Sequence, residues 1–243
     1  MNRLLALAAL CAVILLGLAL TAFSLPDYAV ASFSNMRAGG TISGWEPLSL
    51  GDAPQTSYAL VTDGGRTVVR GEAEGSASGL IRRISLDAHR FPIMTWRWKA
   101  EGVISGGNIR RRGGDDYPAR IYVTFAYDPS DLSFGDRVKY RALRALGYRD
   151  IPVRALSYVW ANRPDETKIV PNAFTDWVQM VPVRSGTAGT GAWQTERRDL
   201  VADYRAAFGE DPPPISGVAI MTDADNTGGE ATAYFGDIRL TTR

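Results

Sequence analysis

The strongest constraint in this chain is a strand pattern that keeps returning. Short segments rich in aromatic and β-branched residues follow one another between turns built from Gly, Pro and Asp, which favours extended strands over helices. Eight segments stand out: Ser57–Thr62, Thr67–Glu72, Phe91–Lys99, Ala119–Tyr127, Ala155–Trp160, Trp177–Val183, Gly217–Thr222 and Thr232–Leu240. Within Ala119–Tyr127, Ile121, Val123 and Phe125 alternate with Arg120, Tyr122 and Thr124. A period of two sends the first set to a core face and the second to an exposed or concave face. Trp96-Arg97-Trp98-Lys99 follows the same rule, with both indoles on one face and both cations on the other.

Two helices interrupt the strands. Arg137–Leu146 aligns Val138, Ala142, Leu143 and Leu146 on one stripe and stops at Gly147, a residue suited to the left-handed end of a helix. Asp199–Phe208 opens on a capping Asp199, aligns Leu200, Tyr204, Ala207 and Phe208, and stops at Gly209 before three prolines, which cannot continue a helix. Many short strands with two short helices predict an all-β fold, a jelly-roll-like β-sandwich. Residues 28–243 show no internal repeat and no long polar linker, so they read as a single domain of a size that buries a sizeable core.

Residues 1–24 read differently. Arg3 precedes an apolar run, residues 4–23, in which Thr21 is the only polar side chain. This is a signal peptide or an N-terminal membrane anchor: its length approaches the ~20 residues that span a bilayer. Ala22-Phe23-Ser24 and Ala29-Val30-Ala31 both offer small-x-small cleavage sites. Either outcome makes the body an exported protein, periplasmic or secreted, or held at the inner membrane through residues 4–23.

Composition then removes whole classes of chemistry. The one cysteine, Cys11, lies in the apolar run, and His89 is the one histidine. The exported body therefore has no disulfide, thiol nucleophile or zinc centre, and a serine triad would have to use His89. Lys+Arg 27 against Asp+Glu 26 gives a net charge of +1, which argues against a nucleic-acid partner. The charge is uneven: residues 105–155 carry 10 basic and 6 acidic side chains, while residues 196–243 carry 5 basic and 9 acidic.

That acidic end holds Asp223-Ala224-Asp225-Asn226-Thr227-Gly228. Asp223, Asp225 and Thr227 stand at positions 1, 3 and 5 of an oxygen-rich loop whose sharp turn falls on Gly228. Calcium takes several oxygens from such alternating positions, so these three are candidate metal ligands. The pattern departs from a helix-loop-helix site, since position 12 is Tyr234, and it would need Glu230, Asp237 or a remote residue to complete it. A polar ligand site that includes Asn226, or an Asx-rich turn between the last two strands, explains the same residues.

A second cluster runs from Gly114 to Tyr122. Asp115 and Asp116 repel each other, and Arg120 would relieve that repulsion, or bind a carboxylate or sugar hydroxyls through its planar fork. Asp115, Asp116, Arg120 and Tyr122 are thus candidate ligand-binding residues, with a structural Asp–Arg pair at a strand entry as the alternative. Tyr158 and Trp160 share one strand face and form either a sugar-stacking platform or core. Residues 186–191 have no Gly-Lys-Ser/Thr and read as a hairpin turn.

These segments resemble the bacterial domain-of-unknown-function 3047 family. The likeness rests on Gly114–Val123, Ala155–Trp160, Arg198–Tyr204, Ala207–Gly209, Val218–Gly228 and Ala233–Ile238, and most specifically on the Met221–Gly228 run, where Ala224 replaces the family's usual Thr. The resemblance implies an exported, all-β protein and no particular activity. The closing aromatic-Gly-Asp-Ile-x-Leu strand is also similar to that of galactose-binding-like sandwiches, which, with concanavalin-like ones, define the architecture expected. Three functions follow. The first is an envelope protein that binds a carbohydrate or other polar ligand, with a structural calcium. The second is a glycoside hydrolase or polysaccharide lyase drawing on Asp115, Asp116, Asp176, Asp199 or Asp223, with Tyr122 or Tyr158 as base. The third is a structural or interaction protein. Whether the Asp115 and Asp223 loops meet in space discriminates among them.

Overall fold

The computed structural model describes residues 27–128, 130, 132–145 and 152–243. The apolar run, Cys11, Leu146 and Gly147 lie outside the described residues, as does the side chain of Leu143. Among those described, thirteen strands form two sheets. The first sheet takes β1 (Asp27–Ala31), β3 (Ser57–Asp63), β4 (Arg66–Glu74), β6 (Ile93–Ala100), β11 (Gln194–Asp199) and β13 (Glu230–Thr241), ordered β11-β6-β13-β4-β3 with β1 beside β13. The second takes β2 (Glu46–Ser49), β5 (Ala77–Leu86), β7 (Tyr117–Phe125), β8 (Ala155–Ala161), β9 (Val170–Pro171), β10 (Val178–Ser185) and β12 (Ile215–Asp223), ordered β2-β5-β12-β7-β8-β10-β9. All pairs are antiparallel except β8 with β10. The expected β-sandwich is the observed one.

Alternation builds the core. Ala119, Ile121, Val123 and Phe125 of β7 face the opposite sheet and are buried. From the first sheet Trp96 and Trp98 enter the same core and meet Tyr158 and Trp160 of β8, at ring distances of 5.3 and 6.0 Å. Fully burying a large apolar side chain contributes roughly 1.5–3 kcal/mol, and tilted ring pairs add about 0.5–1.5 kcal/mol. Tyr158 and Trp160 are therefore corrected from candidate ligand contacts to core residues: both are 0 % exposed. No residue of β8 faces solvent, because the strand is covered on both faces, so alternation along it marks two interiors.

All eight expected strands are present, with ends shifted by up to two residues. The five not expected lack a clear apolar alternation. Gln194–Asp199 is almost wholly polar, and it joins the sheet as an edge strand beside β6. There Glu196 is buried against Trp98 Nε1 and Arg184. The turn at residues 186–191 is also corrected: it connects β10 in one sheet to β11 in the other and closes no hairpin.

Helix α2 (Leu200–Phe208) matches its expectation. The Asp199 carboxylate accepts from the amides of Val201 and Ala202, and Gly209 ends the helix at φ 75°. Helix α1 (Phe134–Ala145) starts earlier than expected. Ser133 and Asp136 exchange hydrogen bonds across its first turn, a reciprocal cap. Of the expected stripe, Val138, 52 % exposed, and Ala142 face solvent, as does Phe134 at 78 %, while Tyr140 packs on Trp177. Among the described residues no helix is long and apolar enough to cross a membrane.

Strand register fixes two ends of the sandwich. Asp27 aligns with Thr241, which aligns with Ile93, which aligns with Asp199 at the start of α2. Residues 87–92 link this end to Leu86, which neighbours Ile215 and Phe125. At the opposite end lie Tyr117, Asp223, Ala77 and Ala161.

Candidate functional site

At that opposite end the Asp115 loop and the Asp223 loop meet. β7 and β12 are central neighbours, and an irregularity between Met221 and Asp223 sets Asp223 opposite Tyr117. Arg120 projects from the face of β7 away from the core. Its Nε donates to Asp223 Oδ1 at 2.7 Å, and its Nη2 meets the second oxygen of the same carboxylate. Nη1 donates to Tyr122 Oη at 3.0 Å and lies 3.7 Å from Asp115 Oδ2, while Nη2 also reaches the Asp115 carbonyl. The guanidinium stacks 4.4 Å over the Tyr117 ring. Arg120 is 3 % exposed and Asp223 1 %.

Asp116 binds the two loops together. Its Oδ1 accepts from the Asn226 amide and Asn226 Nδ2, and its Oδ2 accepts from the Thr227 amide at 2.7 Å and the Thr227 hydroxyl at 2.6 Å. The Asp116 carbonyl accepts from Asn162 Nδ2, and Asn162 Oδ1 accepts from the Ile104 amide at 2.7 Å. Gly107 is required here, since an added Cβ would stand 2.1 Å from Asn162 Nδ2. Asp115 is held by Asn172 Nδ2 at 2.9 Å, and its second oxygen is buried with no hydrogen-bond partner among the described residues. Burial pushes the Asp115 carboxyl above its ordinary value, and Arg120 opposes that rise. Burial likewise raises the Tyr117 phenol, with Asp115 adding to the effect.

Carboxylate oxygens of Asp116, Asp223 and Asp225 lie within 4.8 Å of one another. Calcium needs six to eight oxygens with lone pairs to give. Those of Asp116 already face four donors, those of Asp223 face the Arg120 fork and the Tyr117 amide, and the Thr227 hydroxyl donates to Asp116. Arg120 supplies the positive charge in place of an ion, and the donor set fits calcium poorly. Of the other carboxylates weighed for hydrolysis, Asp199 caps α2.

The sequence-picked residues Asp115, Asp116, Arg120, Tyr122, Asp223, Asp225, Asn226 and Thr227 thus come together, and none of them lines the opening at this end of the sandwich. That opening, of about 160 Å³, lies between residues 108–110 and 163–168. Ile109 and Glu166 are its buried residues. Glu166 is used within the loops: its oxygens accept from the amides of Ile109, at 2.9 Å, and Arg163, at 3.2 Å. Arg110, Arg163 and Lys168 stand exposed at the rim, where Arg163 pairs with Asp165. The same Asn162 that bonds Asp116 begins the second wall. Sequence reading took Arg110-Arg111-Arg112 as an exposed loop and missed Asn162, Glu166 and Lys168, because isolated polar residues in a loop carry no period and no motif.

A family model described as protein of unknown function, DUF3047, matches residues 43–239. No curated protein matches the chain. Among solved structures, the fold is similar to the family 11 carbohydrate-binding module of the cellulosomal cellulase Lic26A-Cel5E of Clostridium thermocellum. That match has 10% identity, covers 90% of this chain and 96% of the other, and has a TM-score of 0.44. It is similar also to a family 30 carbohydrate-binding module of a cellulosomal cellulase of the same organism, with 15% identity, 90% and 99% coverage and a TM-score of 0.39. A family 29 module complexed with mannohexaose matches at 10% identity over 90% and 93% of the two chains, with a TM-score of 0.39.

Proposed function

The chain belongs to the DUF3047 family, and from its own geometry we propose that it is a non-catalytic, exported β-sandwich of the cell envelope that binds an acidic carbohydrate. The observation that carries this reading is the opening between residues 108–110 and 163–168. Its rim is cationic: Arg110 and Lys168 make no ion pair among the described residues, and Glu166 is held by backbone amides. Guanidinium groups recognise carboxylates through two parallel hydrogen bonds. At about 160 Å³ the opening is smaller than the ~300–1,000 Å³ of sites that enclose a whole small molecule. That size suits one unit of a chain whose remainder lies outside.

The buried carboxylates are assigned a different task in this reading. Asp115, Asp116 and Asp223 hold the loops that form the walls, and none is open to a glycosidic bond. Hydrolysis would need two accessible carboxyls about 5–9.5 Å apart around substrate. Export rests on the apolar run of residues 4–23.

Affinity electrophoresis tests the proposal. Mobility is expected to fall in gels containing a polyuronate and to stay unchanged in gels of a neutral glucan. Arg110→Glu with Lys168→Glu is expected to abolish the retardation. Equal retardation in both gels, or retardation that survives the charge reversal, would overturn it.

A further inference from the structure

Helix α1 presents an unusual face. Tyr140 turns inward onto Trp177 at 6.2 Å, and Lys139 lies 4.9 Å over the same indole. With 100° between successive residues, the opposite side is occupied by Phe134, Val138 and Ala142, all exposed. Arg137 and Arg141 adjoin this apolar stripe and make no ion pair among the described residues. The helix carries four cations, Arg137, Lys139, Arg141 and Arg144, against Asp136, which is engaged with Ser133. An apolar stripe edged by arginines on a helix already packed through its other side is suited to the interface of an anionic bilayer.

Position in the fold agrees. α1 follows β7 at the end of the sandwich where Phe125, Leu86, Ile93 and Asp27 gather. The apolar run of residues 4–23 ends three residues before Asp27, at Ser24-Leu25-Pro26, so an anchor there would bring this end, and with it α1, to the lipid. We propose that α1 is an interfacial helix that docks the body against a bilayer rich in anionic lipid, through Phe134 and Val138 with Arg137 and Arg141 on the headgroups.

The test uses the full chain carrying Cys11→Ser, reconstituted into vesicles of phosphatidylcholine with or without phosphatidylglycerol. An environment-sensitive label is placed at Ala142→Cys, and in a second sample at Ser105→Cys, which is exposed near the opposite end. Brominated acyl chains are expected to quench the first label in phosphatidylglycerol vesicles and to leave the second unquenched. Arg137→Gln with Arg141→Gln is expected to shift the docked fraction by roughly fivefold per arginine, with an unaltered unfolding midpoint. An Ala142 label that stays unquenched while the chain is vesicle-bound would overturn the proposal. So would quenching indifferent to phosphatidylglycerol and to the arginines. A blue shift without vesicles that grows with protein concentration would instead assign the face to a second copy of the chain.

Discussion

Arg120 and Asp223 form a buried, two-point ion pair across neighbouring central strands, with Nε 2.7 Å from Oδ1 and both side chains almost wholly out of solvent. The pair sits where β7 begins and β12 ends, so it joins the two loops that leave those strands. Its geometry fixes a direction as well as an attraction, because a guanidinium fork accepts a carboxylate in one plane.

Removing one partner leaves the other charged and buried. Arg120→Met is expected to destabilise by about 3–5 kcal/mol. Adding Asp223→Leu is expected to cost less than the sum of the two single changes, with a coupling of about 0.5–3 kcal/mol. Urea unfolding of the four proteins measures this. Additive losses would mean that the pair contributes nothing jointly.

Asp116 faces four donors from two consecutive residues. Asp116→Ala is expected to lose about 1–3 kcal/mol, since its four donors on Asn226 and Thr227 are only partly buried and water can reach some of them. Asp116→Asn is expected to be costly as well, because its amide would point a donor at donors. Thr227→Val removes one donor and is expected to lose only about 1 kcal/mol. The ranking of unfolding midpoints checks all three.

Asp115 makes a pH-dependent prediction. Its folded-state value is raised by burial above 3.8. In the window above 3.8 the folded state holds a proton that the unfolded chain has released, so this group's contribution to stability falls as pH rises. Asp115→Asn removes that loss. Relative to the variant, the wild type is expected to weaken between pH 3.8 and neutrality. Denaturant titrations at the two pH values decide it, and a constant difference would be the contrary result.

Tyr158 tests the corrected assignment to the core. Its hydroxyl donates to Asp203 Oδ2 at 2.8 Å, and Arg198 donates to the same carboxylate. Asp203→Ala strands the buried hydroxyl and is expected to lose about 1–3 kcal/mol. Tyr158→Phe in that background is expected to restore part of the loss. A Tyr158 that served a ligand would show no such rescue in thermal unfolding.

Much of the architecture was legible in the residues, since β7 alternates as a sheet face must and Asp199 with Gly209 brackets α2 as caps should. The site was legible only in its parts. Asp116 and Thr227 are 111 positions apart, and no spacing rule joins them. The run from Asp223 to Gly228 carries the alternating oxygens of a cation loop, yet a remote arginine and the Tyr117 amide use those of Asp223, and the Thr227 hydroxyl donates to Asp116. Val138 and Ala142 of the stripe expected on α1 face solvent for a related reason: periodicity reports that one side is apolar and is silent on which side faces inward.

The lone parallel pair, β8 with β10, has a mechanical consequence. Parallel neighbours force the intervening chain to travel back along the sheet, so residues 162–177 leave the end that holds Arg120 and Asp223 at Asn162 and arrive at Trp177, on which Tyr140 of α1 packs. Along the way this strap is fastened at Asn162 to Asp116, at Glu166 to Ile109 and at Asn172 to Asp115. The two ends of the sandwich are therefore joined by one continuous segment, pinned at three points, which would carry a load on residues 163–168 to Trp177 and, through the Tyr140–Trp177 ring contact, to α1. Such a strap would act as a tether between the two ends under load, not as a loose crossover.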